Sequence, residues 1–205
     1  SRPSLKQVSS LLGLQTKSLK TYDEHMKSIS KRVVVTLDDA NVAEFVSELR
    51  LVKDEYEIKE MRKAIAASIE GFKSVVRNLD RAIKHPRGER IVEGAFFAEA
   101  RANGNELGYD TIAAAGEHAC TLHWIINDGP VKPGELLLLD AGVEVDSLYT
   151  ADVTRTLPIN GKFSKVQKDI YLAVLEAADA VFAMAKPGVT YSEMHKTAMK
   201  VIAQK

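Results

Sequence analysis

Two aspartates, Asp140 and Asp152, are the residues of this chain best placed to do chemistry. Asp140 directly follows the apolar run at residues 136–139, which is typical of a buried strand. Asp152 lies in residues 149–157, a segment rich in β-branched and aromatic residues, and Asp146 and Ser147 between the two segments favour a turn. The pattern predicts a β-hairpin that brings both carboxylates to one place.

The register of this hairpin determines how close the carboxylates come. If the turn is centred on Asp146, Asp140 lies directly opposite Asp152, and Thr154 projects from the same face two residues further on. Directly opposed residues have Cβ atoms about 4.5–5.5 Å apart, and carboxylates that close repel each other unless cations lie between them. Because two-metal hydrolases hold their ions roughly 3.5–4 Å apart, a dinuclear metal site is one interpretation.

An ordinary structural role is the other interpretation of these aspartates. Asp140 could simply end a strand, and Asp152 could be a solvated residue. A buried carboxylate without a partner is costly, so the position of Asp140 after an apolar run favours metal ligation. Spacing alone leaves both interpretations open.

Several short motifs carry a resemblance to a known family. Residues 140–142 (DAG) and 152–158 (DVTRTLP) resemble the first two metal-ligand motifs of the pita-bread metallopeptidases, in particular aminopeptidase P and its relative prolidase. Residues 109–112 (YDTI), 116–117 (GE) and 120–123 (CTLH) resemble the substrate-side segments of that family, in the same order. The likeness runs from about Leu49 to the end of the chain. The aspartates stand 12 positions apart, one more than the family pattern, so an extra residue is expected in the turn.

The resemblance implies an α/β (α+β) fold, the first half of a pita-bread fold, with an antiparallel sheet covered by helices. Residues 49–205 would form the N-terminal half of the catalytic domain. Residues 1–48 would be the C-terminal remnant of a smaller N-terminal, creatinase-like domain, with a strand at residues 32–36 and a short helix capped by Asp38 or Asp39. Such a domain argues against methionine aminopeptidase, a relative that usually lacks it.

The resemblance also assigns roles to site residues. Asp140 would chelate one metal ion and Asp152 would bridge two, while Tyr109 would orient the Asp152 carboxylate and Thr154 would hold the metal-bound water. His123 would donate a hydrogen bond to the scissile carbonyl or stabilise the developing oxyanion. The ordinary alternatives are a hydrogen-bonded strand histidine for His123 and a core tyrosine for Tyr109. Carboxylate-rich ligation favours two Mn²⁺ ions, with Zn²⁺ or Co²⁺ as alternatives.

The implied activity is removal of the N-terminal residue from peptides with proline in the second position, by attack of a shared hydroxide on the amide carbon. Alternatives on the same scaffold are prolidase, a non-catalytic module that binds peptides or proteins, and creatinase, although the last two would be expected to lose the aspartate pair. The remaining family ligands, a histidine and two glutamates, have no counterpart after Asp152. We therefore expect a truncated chain that is inactive by itself, and a homodimer for the full-length protein.

Composition narrows the function classes. The chain has 28 Lys and Arg against 28 Asp and Glu and no basic stripe, which argues against nucleic acid as a partner. The single cysteine, Cys120, cannot form an internal disulfide, and no apolar run approaches the ~20 residues of a membrane span, so a cytoplasmic protein is predicted. His118 and Cys120 lack a partner pair for zinc. The other histidines, assigned to the surface, are His25, His85 and His195.

Four helices are predicted around the hairpin and are expected to cover one face of the sheet. The first follows the junction at residues 49–53 and carries apolar residues at helical spacing: Ile58, Met61, Ile65, Phe72, Val76, Leu79 and Ile83. The second, at about residues 89–101, buries Val92, Phe96 and Phe97. The last two begin at capping boxes, Ser164 with Gln167 and Thr190 with Glu193.

Overall fold

The computed structural model describes the backbone of residues 39–205 and the side chains of residues 44–205. The helices are α1 (Asp39–Leu49), α2 (Glu55–Ile83), α3 (Gly88–Asn103), α4 (Lys165–Met184) and α5 (Tyr191–Ile202), with a short 3₁₀ helix at Gly116–Cys120. The strands are β1 (Glu106–Leu107), β2 (Ile112–Ala115), β3 (Leu136–Ala141), β4 (Val143–Glu144) and β5 (Val153–Pro158). The strand predicted at residues 32–36 and a cap at Asp38 lie outside the described residues.

A three-stranded antiparallel sheet in the order β2-β3-β5 positions the aspartates, and β1 pairs with β4 beside it. Because side chains alternate along a strand, Leu137, Leu139 and Ala141 are fully buried toward the helices, while Asp140 projects from the other face. The core thus lies between the helices and the side of the sheet opposite to Asp140.

Helices α2 and α3 form the layer that packs on the sheet. Helix α2 begins at a capping box in which Asp54 and Glu57 each accept a backbone N–H of the other. Its buried face is built from small residues, because α3 approaches closely: a Cβ at Gly71 would lie 2.5 Å from the Phe96 ring. The small buried residues of α2 are Ala64, Ala67, Ser68, Gly71, Ser74, Val75 and Ala82.

The apolar positions predicted for these helices are therefore buried only in part. Ile58, Ile65 and Val76 are 41%, 43% and 55% exposed, because they lie beside the small-residue face of α2. On α3, Val92 and Phe96 are buried as predicted, but Phe97 is 42% exposed. Helices α4 and α5 begin at both predicted capping boxes, which confirms those two starts, and they pack chiefly against each other.

The hairpin turn is centred on Ser147, one residue later than the predicted centre at Asp146. The Val145 N–H donates to the Tyr149 carbonyl at 2.9 Å, which leaves residues 146–148 as the loop, and Leu148 has a φ of 69°. A residue in the left-handed region is what a three-residue hairpin loop requires. The predicted extra residue relative to the family pattern stays a prediction, because this loop is seen here in one chain only. Asp140 pairs with Thr154, so the predicted direct opposition of Asp140 and Asp152 is wrong.

Two hydrogen bonds tie this turn to the start of α2. Ser147 Oγ donates to Glu60 Oε2 at 2.8 Å, and the Tyr149 hydroxyl donates to Glu57 Oε1 at 2.5 Å. The second bond lowers the pKa of Glu57 and raises the pKa of Tyr149 to about 12.

Within residues 39–205, no helix is both long and apolar enough to cross a membrane.

Candidate metal centre

The Tyr109 hydroxyl joins the two predicted ligands. It lies 2.6 Å from Asp140 Oδ1 and 3.0 Å from Asp152 Oδ1. A hydroxyl has a single hydrogen to donate, so the two carboxylates share one donor. Burial, followed by the hydrogen bond to Asp140, raises the pKa of Tyr109 above its usual value.

Strand register places Asp140 and Thr154 on one face. Ile112, Asp140 and Thr154 form a row across β2, β3 and β5, and directly paired residues project from the same face of a sheet. Asp152 immediately precedes β5, two residues before Thr154, so strand alternation directs it to that face as well. The two carboxylates therefore lie on the same face, two residues out of register, and the Tyr109 hydroxyl lies within hydrogen-bond distance of both.

Gly142 allows the chain to close at this point. A Cβ on Gly142 would lie 1.7 Å from the Ala151 carbonyl oxygen, a contact that no side chain can make. The Gly142 carbonyl also accepts the Gly108 N–H at 2.8 Å, which fixes the segment that carries Tyr109. The close approach of Ala151 thus requires a glycine at position 142, between the two aspartates.

Gly142→Ala is expected to destabilise the protein by about 1–3 kcal/mol or more, because backbone atoms have to move apart to admit the methyl group. Urea unfolding measures the change in the free energy of unfolding. Gly94→Ala is the matched control: Gly94 lies exposed in α3 with open space around the added methyl, so it should stabilise the protein by roughly 0.5–1 kcal/mol. Equal effects of the two substitutions would contradict this account.

A cavity of about 410 Å³ collects the predicted site residues. Its lining residues are Tyr109, Asp110, Ile112, His123, Ile125, Asp140 and Asp152. Thr154 lies opposite Asp140 in the sheet but is not part of this lining. His123 is not a strand residue: it lies in the β2–β3 connection with a φ of 55°. The sequence did not indicate Ile125 as a cavity residue, because an apolar side chain by itself carries no signal of a site.

The donor set suits a hard divalent cation in part. Two carboxylates with a neighbouring hydroxyl offer the oxygen atoms that Mn²⁺ or Mg²⁺ prefers. Among residues 39–205, however, no three His, Cys, Asp or Glu side chains cluster closely enough to hold an ion. The described part of the chain therefore supplies only a portion of a coordination sphere.

Sequence comparison finds curated relatives that are named Xaa-Pro aminopeptidase. The chain is 53% identical over 167 residues to Xaa-Pro aminopeptidase 1 of Streptomyces coelicolor, covering 82% of this chain and 34% of the relative. It is 47% identical over 218 aligned positions to Xaa-Pro aminopeptidase 2 of the same organism, covering 98% of this chain and 46% of the relative. The chain thus spans between a third and a half of the length of these relatives.

Structure and family comparisons agree with this result. The aminopeptidase PepP of Pseudomonas aeruginosa superimposes with a TM-score of 0.67 at 39% identity, covering 76% of this chain and 34% of that structure. The mixed architecture of helices on an antiparallel sheet is that of the aminopeptidase P pita-bread fold. Residues 59–205 match the family described as Metallopeptidase family M24. By sequence and fold, this chain belongs to metallopeptidase family M24.

Proposed function

We propose that the full-length protein is a dinuclear-metal Xaa-Pro aminopeptidase, which removes the N-terminal residue from peptides with proline in the second position. The observation that carries the proposal is the cavity in which Tyr109 bridges Asp140 and Asp152 and His123 lines the wall. The names of the Streptomyces relatives support the substrate class. Residues 49–205 act as the N-terminal half of the catalytic domain in this proposal.

Each of the five predicted site residues has a role that follows from its chemistry. Asp140 and Asp152 would hold the metal ions, and Asp152 would contribute its carboxylate to both. When bound, the ions lower the pKa of a water molecule and polarise the peptide carbonyl. Tyr109 orients both carboxylates, and His123 donates a hydrogen bond to the carbonyl oxygen as negative charge develops there. Thr154, opposite Asp140, holds the attacking water in place.

Mn²⁺ is the proposed ion, because the oxygen-rich donor set favours a hard cation, and Zn²⁺ or Co²⁺ would be the substitutes. The test is hydrolysis by the full-length protein after metal removal and separate addition of each ion. A tripeptide Xaa-Pro-Xaa should be cleaved fastest with Mn²⁺, and an Xaa-Ala-Xaa peptide should be cleaved poorly. Preference for the dipeptide Xaa-Pro would indicate a prolidase, and absence of any hydrolysis would indicate a binding module.

We infer that the 205 residues alone neither hold two metal ions nor hydrolyse peptides. The absence of a three-ligand cluster within residues 39–205 supports this inference. Robust Xaa-Pro cleavage by the isolated chain with added Mn²⁺ would refute it. A homodimeric full-length protein and a cytoplasmic location remain predictions, and sedimentation of the full-length protein at micromolar concentration tests the first.

Tyr109→Phe is expected to lower the activity of the full-length protein by about 10- to 100-fold, as losses of groups that orient metal ligands typically do. The ring keeps its packing, but Asp140 and Asp152 lose their shared donor. The kcat of the purified variant and its bound metal measure the effect. Tyr149→Phe is the matched control, because it removes a hydroxyl that contacts Glu57 outside the cavity. Equal losses of kcat in both variants would show that the Tyr109 hydroxyl has no special role in the cavity.

A further inference from the structure

Glu89 is a fully buried carboxylate that does not line the cavity and has no part in the proposed mechanism. It lies in the first turn of α3, where the helix dipole favours a negative charge. A buried carboxylate is costly unless its oxygens are satisfied by donors. The contacts of Glu89 therefore indicate what it is there to hold.

Each oxygen of Glu89 accepts two hydrogen bonds. Oε1 lies 2.8 Å from the Ala115 backbone N and 2.8 Å from His118 Nδ1. Oε2 lies 2.7 Å from the Gly129 backbone N and 3.0 Å from Trp124 Nε1. The two backbone N–H groups and the indole N–H can only donate, and His118 Nδ1 donates when the ring carries its proton on that nitrogen. A carboxylate fits this position because both of its oxygens accept.

The four donors are distributed along the connection between β2 and β3. Ala115 ends β2, His118 lies in the 3₁₀ helix, and Trp124 and Gly129 follow in the irregular part of the loop. The chain packs tightly around the carboxylate, since a Cβ on Gly129 would lie 2.5 Å from His118 Cε1. The His118 ring also stacks on Trp124, with centroids 3.9 Å apart. One carboxylate thus fastens the start, middle and later part of the loop.

His123 is the loop residue that this arrangement presents to the cavity. It directly precedes Trp124, and its φ of 55° lies in the left-handed region, which is uncommon for residues other than glycine. Such a backbone conformation persists only where the surroundings hold it. The next side chain, Trp124, is held by both Glu89 and His118.

We infer that Glu89 is a positioning residue for His123: it anchors Trp124, His118 and Gly129 so that the imidazole is directed at the substrate carbonyl. This inference rests on the proposed function. The dependence is on geometry, because a misplacement of about 1 Å in a catalytic group can cost about 10²-fold in rate. A second anchor supports the same loop, since the buried Asn127 accepts the Ala113 N–H at 2.9 Å and donates to the Thr111 carbonyl at 2.8 Å.

Glu89→Gln in the full-length protein tests the inference. The substitution keeps the shape of the side chain, but its amide NH₂ faces two donors instead of accepting from them. We expect kcat for an Xaa-Pro-Xaa peptide to fall about 10²-fold, with KM and bound metal within about twofold of the wild type. Hydrogen exchange in peptides covering residues 113–129 should become faster. Glu99→Gln, on the same helix and in contact with Arg77 and Asn103, is the matched control. It should change neither kcat nor the hydrogen exchange of residues 113–129.

The decisive comparison is the double variant with His123→Ala. If Glu89 acts through His123, Glu89→Gln should lower kcat by no more than about twofold once the imidazole is gone. A loss by the same factor in both backgrounds would show that Glu89 supports the fold in general and would overturn the inference. Unchanged exchange in residues 113–129 would overturn it as well.

Trp124→Phe covers the case in which Glu89→Gln does not fold. It removes one of the two donors to Oε2 and keeps an aromatic ring against His118. We expect a loss in kcat of about 10-fold that again vanishes with His123→Ala. Failure of the wild-type protein to hydrolyse Xaa-Pro peptides would refute the proposed function. If the wild-type protein is active but the losses in kcat from Glu89→Gln and His123→Ala multiply in the double variant, only the role of Glu89 is refuted and the proposed function stands.

Discussion

Asp152→Asn is expected to remove most of the peptidase activity of the full-length protein and much of its metal affinity. In the proposed site Asp152 is a ligand of both ions, and an amide of the same shape supplies no charge to either. The loss should exceed the roughly 10- to 100-fold that is typical for residues that only support a ligand. Asp140→Asn should be similarly severe, because Asp140 is the other proposed metal ligand and its amide would supply no charge to the ion.

Bound metal and kcat, measured on the same preparations, check this expectation. Asp146→Asn is the matched control, since it makes the same chemical change in the turn of the same hairpin, outside the cavity. The control should keep both its metal and its activity. An Asp152→Asn variant with full activity would show that the carboxylate has been assigned the wrong role.

His123→Ala is expected to leave the metal ions bound and to lower kcat by about 10²–10³-fold, the usual cost of removing one donor that acts in the transition state. Among the described residues, His123 is the only histidine that lines this cavity, so no other imidazole there can donate the hydrogen bond in its place. The KM for an Xaa-Pro-Xaa peptide should change little. Steady-state kinetics together with metal analysis separate the two effects.

His195→Ala is the control for this substitution, because His195 is an exposed residue of α5 and should have no influence on kcat. Loss of metal in His123→Ala would mean that the imidazole is a ligand and not a donor to substrate. That result would refute the role proposed for His123.

Local sequence was enough to predict most of the elements. Capping boxes are short-range patterns, so Ser164 with Gln167 and Thr190 with Glu193 mark the starts of α4 and α5 correctly. The apolar run before Asp140 predicted β3 in the same way. Periodicity was less informative about which face of α2 is buried. The close approach of Phe96 to Gly71 selects a face of small residues, and this contact joins residues distant in sequence.

The sequence also identified Asp140 and Asp152 as candidates through their residue type and spacing, and Tyr109 and His123 through the resemblance of their segments to the family. It did not determine how they meet. A register prediction depends on the turn, and a turn of three residues with Leu148 in the left-handed region shifts the pairing partner of Asp140 to Thr154. Only the tertiary structure placed the Tyr109 hydroxyl between the carboxylates.

Glu89 shows the limit of sequence reading most clearly. In the sequence it is one of many acidic residues near a helix start, where an exposed carboxylate is ordinary. In the structure it is fully buried and accepts hydrogen bonds from four groups, the most distant of which is Gly129. Motif order therefore determined which residues this protein brings to its candidate site, whereas long-range burial and hydrogen bonding decided how the β2–β3 loop is held, because such contacts leave no local pattern.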